Sequence, residues 1–250
     1  MYKIAEGECM DNVDYVLANA ITAHGGGALW SHLTTIEAVL SADGFLFTAK
    51  HMKPLRRVSV AASTKAPRFT LFDWPRPGQR GEWLGEDEVR ISAADGTITA
   101  RRQNPRAAFH GPRRELWWDQ LDFLFFAGYA TWNYLTTPFL FLRPGFEFKM
   151  LPPGPNNSAR IAARFPPDVP SHCREQVFHF APSGELLRLD YTAEVVGGWA
   201  RAAHICEDYR DFEGLRVPVR RRVRPLFELR TPLPYPTLVA IDIHELRPVA

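Results

Sequence analysis

At 250 residues, 46% of them hydrophobic and 23% charged, the chain is long enough to bury a sizeable core, and disordered, collagen-like and coiled-coil classes are excluded. A formal net charge of +2 gives no ground for a nucleic-acid partner, which needs clustered Lys and Arg, and none is expected. The 21 prolines and the 12% aromatic share point to strands, because proline edges them and aromatic rings suit a pleated, half-buried surface. Three cysteines, Cys9, Cys173 and Cys206, are odd in number and lack CxxC spacing, which speaks against a disulfide framework or a zinc knuckle. Residues Met1 to Cys9 are acidic and carry no apolar run of the secretory kind, so the expected compartment is the cytoplasm.

The first element is helical, about 11–33. Val13, Val16, Leu17, Ala20 and Ile21 recur at spacings of three and four, behind Asp11 or Asn12 as N-cap. His24-Gly25-Gly26-Gly27 breaks this run before Ala28, Leu29, Trp30 and Leu33 resume it. From Ile36 the period becomes two, with hairpin turns at Ala42-Asp43-Gly44, Ala94-Asp95-Gly96 and Pro182-Ser183-Gly184. The pattern predicts strands over 35–41, 44–51, 55–63, 67–74, 82–92, 97–103, 145–151, 158–165, 174–181, 185–195, 200–210, 216–227 and 237–247. One insertion, about 113–141, reads as helix, with Arg114, Glu115, Asp119 and Asp122 opposite Leu116, Trp117, Leu121, Leu124 and Phe125.

Phe123 to Leu142 carries no charge and is long enough to span a bilayer, yet Gly128, Asn133, Thr136, Thr137 and Pro138 interrupt it and its Trp and Tyr lie at the centre. Helices buried against a sheet are expected there instead. A meander with helices at its start and middle places them most readily on its concave face. The expected fold is therefore mainly β: a curved antiparallel sheet, or half-barrel, with a helical lid on the concave face, as one domain over 1–250.

Strand parity assigns the inward side chains. Leu187, Leu189 and Tyr191 alternate with Arg188 and Asp190, and Val239, Ile241 and Ile243 with Asp242 and His244. In 216–224 the apolar set is Val217, Val219 and Val223. Arg221 falls in phase with it, which leaves Arg216, Arg220, Arg222 and Arg224 outside.

The stretch Gly184 to Val223, with the turn Phe212-Glu213-Gly214-Leu215 leading to Val217-Pro218 and an Arg-rich strand, followed by Pro236 to His244, resembles the LolA-like and LolB-like lipoprotein-carrier superfamily. A fainter likeness covers His24 to Trp30 and the strand pair after it. The resemblance implies a curved antiparallel sheet around an apolar cavity, covered by helices, that carries acyl chains or other lipids.

Candidate ligand-binding residues are Trp117, Phe125, Tyr129, Trp132, Tyr134, Tyr191 and Arg221, because aromatic rings dominate both cores and ligand pockets and Tyr and Trp add a polar tip. Arg221 has two readings: anchor for a carboxylate or phosphate on an amphiphile, or structural partner of Glu207 on the preceding strand. His24, Tyr134, Tyr191 and Arg221 are the candidates for catalysis. His204 and Cys206 share a strand face near His172-Cys173 in no known ligand spacing, so no metal site is expected. HExxH, GxSxG and GxGxxG are absent, and no cofactor is expected. Two functions follow: binding or carriage of a hydrophobic small molecule or acyl chain in the cavity, or, alternatively, an enzyme of cyclase or isomerase type acting on a lipophilic substrate there. The expected partners are that hydrophobic small molecule or lipid and, transiently, a membrane surface or second carrier.

Overall fold

The computed structural model describes residues 12–227 and 231–250; Cys9 and Asp11 lie outside the described residues. Thirteen strands form one antiparallel sheet: β1 (Thr35–Asp43), β2 (Leu55–Ser63), β3 (Phe69–Phe72), β4 (Arg80–Leu84), β5 (Glu88–Ser92), β6 (Ile98–Gln103), β7 (Glu147–Leu151), β8 (Ala159–Arg164), β9 (Glu175–Phe180), β10 (Leu186–Thr192), β11 (Arg201–Phe212), β12 (Leu215–Pro225) and β13 (Val239–Val249). Their spatial order is β6-β5-β4-β3-β2-β1-β13-β12-β11-β10-β9-β8-β7. Two meanders thus stand side by side, joined where β1 pairs with β13, from Thr35 opposite Val249 to Asp43 opposite Ala240. The sheet does not close: β6 and β7 are its two edges, and a curved half-barrel results.

Helix α1 (Val13–Ala23) is capped by Asn12, whose side chain accepts from the Asp14 and Tyr15 amides, and α2 (Gly26–His32) follows. Both sit at the end of the sheet that holds the β9–β10 and β11–β12 turns. There Asn19 donates to the Pro182 carbonyl at 3.1 Å, and Gly25 lies against the Gly214 backbone. The long insertion becomes α4 (Pro112–Leu116), α5 (Gln120–Thr136) and a 3-10 turn over Phe139–Leu142. A reciprocal capping box between Asp119 and Asp122 starts α5, and Arg102 of edge strand β6 grips Asp119 at 2.7 Å and Asp122 at 2.5 Å. The helix lies across the concave face against β2 to β6, with Phe125, Tyr129 and Trp132 fully buried. Among the described residues no helix is long and apolar enough to cross a membrane.

The expected strand 44–51 is instead a short helix, α3 (Phe45–Ala49). Gly44 takes φ 129 against the Leu238 carbonyl, and the Phe45 and Leu46 amides donate to Thr237 and Leu238, so the chain tucks into the approach to β13 rather than doubling back on β1. The expected strand 82–92 is split into β4 and β5 by a turn at Gly85, φ 70. The parity of β12 and β13 holds. Arg221 is 2% exposed while Arg220 faces solvent, and Ile241 and Ile243 are buried. In β10 the pairing with β9 shifts register between Leu186 and Arg188, which turns Leu187 outward and puts Leu186 inside; Leu189 and Tyr191 face inward as expected.

Candidate functional site

Under α5 the interior has an apolar part and a polar part. The apolar part is a void of about 40 Å³ between Phe126, Ala130 and Tyr134 of the helix and Leu40, Leu55 and Ile241 of the sheet. The polar part is centred on His172, which the proline-rich segment between β8 and β9 delivers beneath the helix. Tyr129 Oη lies 3.1 Å from its Nδ1, and Tyr134 Oη lies 2.6 Å from its Nε2. Tyr191 Oη is 3.0 Å from Tyr134 Oη, and the Tyr191 ring stacks flat on the imidazole at 3.9 Å. A second void, about 10 Å³, sits beside this cluster and is lined by Tyr134, Asn133, His172 and Arg221.

Burial sets the protonation of every group here. It drives the His172 imidazole down to about 3, assisted by the nearby Arg106 charge, and pushes the hydroxyls of Tyr129, Tyr134 and Tyr191 up. His204, which packs edge-on against Tyr134 with ring centroids 4.2 Å apart, is driven well down, first by burial and then by Arg221. At neutral pH the aromatic chain is uncharged. His172 donates through one ring nitrogen and accepts through the other, joining Tyr129 to Tyr134 and Tyr191. Arg221 is the cation at its edge: Nη2 donates to the Tyr134 carbonyl at 2.8 Å, and Nη1 lies 3.4 Å from Cys206 Sγ.

Tyr129, Tyr134, Tyr191 and Arg221 therefore meet in one cluster, and Phe125 adjoins it through Tyr129, their ring centroids 5.2 Å apart. Trp132 faces the other way, donating to the Ser63 carbonyl at 2.8 Å and packing on Trp83. Trp117 does not reach the interior. It is 39% exposed with Arg113 over its ring, and Trp118 is buried in its stead, because the chain is extended at Trp117 between α4 and α5 and successive side chains point to opposite sides. His24 stands apart from the cluster. Its Nδ1 lies 2.7 Å from the Ala20 carbonyl and its Nε2 3.3 Å from Tyr209 Oη, tying α1 to β11, and burial holds it down to about 4. The expected pairing of Arg221 with Glu207 is not made: Glu207 lies on the outer face, 3.6 Å from Arg220. His172 is the central residue that sequence reasoning did not place, since it follows three prolines outside any strand and no periodicity marks it.

A third feature faces solvent. A cleft of about 820 Å³ lies where α4 meets α5, walled by Met52, Leu55, Trp74, Trp117 and Leu121, with Lys53, Arg56 and Arg76 at its rim. Leu55 belongs to both the cleft and the apolar void, and Tyr134 to both the apolar and the polar void. Cleft, apolar void and polar cluster are thus neighbours, each adjoining pair divided by one shared wall residue.

No family model matches the chain, and no curated protein does. Among solved structures it is similar to a LolA superfamily protein from Nitrosomonas europaea, at 9% identity and a TM-score of 0.53 over 94% of this chain and 92% of that one. It is also similar to a DUF1329 family protein from Desulfovibrio piger ATCC 29098, at 13% identity and a TM-score of 0.50 over 95% and 93%. These likenesses are of fold alone. They extend the resemblance drawn from the C-terminal third to almost the whole chain.

Proposed function

We propose that the chain binds a hydrophobic small molecule or acyl chain between α5 and the concave face of the half-barrel, taken up through the cleft beside α4. The observation that carries this is the adjacency of the spaces just described: the large cleft shares Leu55 with an apolar void beneath the helix. The void's 40 Å³ is far below the roughly 300 Å³ of an ordinary ligand pocket. The bound state therefore has α5 lifted from the sheet, with the void as the point where packing is already incomplete. The fold neighbour of the LolA superfamily supports a lipid or lipoprotein as cargo, delivered at a membrane or to a second carrier. The thiols of Cys173 and Cys206, both free, suit the reducing cell interior as its compartment.

The test is titration with a fluorescent fatty acid, followed by both probe emission and quenching of the protein's tryptophans. Saturation near one probe per chain is expected. Ala130→Val, which fills the void from the helix side, should weaken binding while the folded protein persists. Absence of saturable binding by any lipophilic probe would sink the proposal.

A further inference from the structure

The geometry points to Arg221 as a head-group anchor: the ligand is an amphiphile ending in a carboxylate, whose oxygens occupy the place at the guanidinium now held by the Tyr134 carbonyl. This rests on the reading of the interior as a ligand site and names the ligand's polar end.

Arg221 is a cation 2% exposed, and among the described residues no carboxylate lies within ion-pair distance of it. A buried charge without a counter-charge is costly, and a guanidinium offers five donors in a fork shaped for two parallel acceptors. Here the fork is poorly filled. Nη2 has one good acceptor, the Tyr134 carbonyl at 2.8 Å. Nη1 has only Cys206 Sγ at 3.4 Å and His204 Nε2 at 3.5 Å, and Nε has no partner. The carbonyl it does engage is free for a local reason. Four residues on from Tyr134 stands Pro138, which has no N–H to close the helical bond, so that oxygen is an orphan of the α5 C-terminus. Arg221 and Tyr134 satisfy each other only in part.

The groups that face the guanidinium are His204 and Cys206 from β11, Tyr134 from α5, and, further off, Tyr209 and His24. None is acidic. The adjoining void of about 10 Å³ has room for one water, and it also holds the unpartnered Asn133 Oδ1. The order of the spaces sets direction: a chain lying under α5 from Leu55 past Ala130 reaches Tyr134 and ends at Arg221. A carboxylate there gains a bidentate, charge-assisted pair, which a hydroxyl or ester of the same chain length does not.

The test compares laurate, 1-dodecanol and methyl laurate by calorimetry on the wild-type protein and on Arg221→Met. Laurate should bind wild type at least tenfold more tightly than dodecanol or the ester. Arg221→Met should remove that difference, bringing laurate down to the affinity of dodecanol measured on the same variant. A second readout needs no variant: the carboxyl carbon of bound 13C-labelled laurate should titrate below the free acid, because the neighbouring cation favours its charged form. Equal binding of acid and alcohol, or a carboxyl titrating at or above the free value, overturns the anchor while the apolar site stands. If none of the three binds, the apolar site itself is refuted and the anchor falls with it.

Discussion

Gly128 lies midway along α5, and in an exposed helix its replacement by alanine would raise stability by about 0.8–1.0 kcal/mol through backbone entropy alone. Here the sign should reverse. A Cβ at this position would stand 2.5 Å from Trp83 Cβ and 2.6 Å from its Cγ, and Trp83 is fully buried in β4. The Cβ of Trp83 is fixed to the strand backbone, so no rotamer change relieves the contact and the helix must ride off the sheet. Overpacking of this kind costs about 1–3 kcal/mol. Set against the propensity gain, Gly128→Ala should lose up to about 2 kcal/mol, and with it up to about 4–8 °C of Tm. Urea and thermal unfolding of the purified variant would measure it. A variant more stable than wild type by the full propensity gain would refute the close seating of α5 on Trp83.

Trp117→Ala and Trp118→Ala are neighbours in sequence and opposites in consequence. Trp118, 2% exposed with its indole N–H on the Arg114 carbonyl at 2.9 Å, should cost about 3–5 kcal/mol, and Trp117, 39% exposed, about 1 kcal/mol or less by denaturant unfolding. Asp122→Ala strips a fully buried carboxylate from Arg102 and Arg114 and half of the α5 capping box; a loss of roughly 3 kcal/mol is expected, against a wild-type-like midpoint if the pair is idle. Unfolded histidines titrate near 6.5, whereas His24 and His172 are held to about 4 and about 3. Below pH 6.5 the unfolded chain therefore takes up protons that the fold refuses. The stability these groups contribute is complete above that pH and falls by about 1.4 kcal/mol per pH unit for each, until the folded values are reached. Urea midpoints measured from pH 7.5 to 5 should decline accordingly, and a flat profile would contradict the buried neutral imidazoles.

What could be seen in the sequence was periodic, and what could not was set by contacts between distant segments. Val217, Val219 and Val223 carry a period of two that assigns Arg221 to the interior without knowledge of any partner. The same logic slips at Leu187, because one bulge inverts the phase and no residue type announces it. Phe45 to Ala49 is too short and too uniformly apolar for periodicity to tell strand from helix, and carbonyls at Thr237 and Leu238 decide the matter. Arg221 could be placed inside but not paired, since choosing between Glu207 and a ligand depends on which way each carboxylate points. His172 enters from an irregular segment and is identifiable only once Tyr129, Tyr134 and Tyr191 have been brought around it.

The helix across the concave face is also the crossover between the two sheet edges, following β6 and preceding β7. It is thus strung like a chord across an arch and anchored at both feet. At one, Arg102 of β6 grips Asp119 and Asp122; at the other, the chain runs through Phe139–Leu142 into β7. A flap hinged at one end swings clear of what it covers, but a chord cannot. Lifting α5 requires the arch to flex, so the spacing of edge strands twelve inter-strand steps, or about 58 Å of sheet-path, apart is mechanically linked to access beneath the helix, and any partner that grasps either edge acts on the interior without touching it.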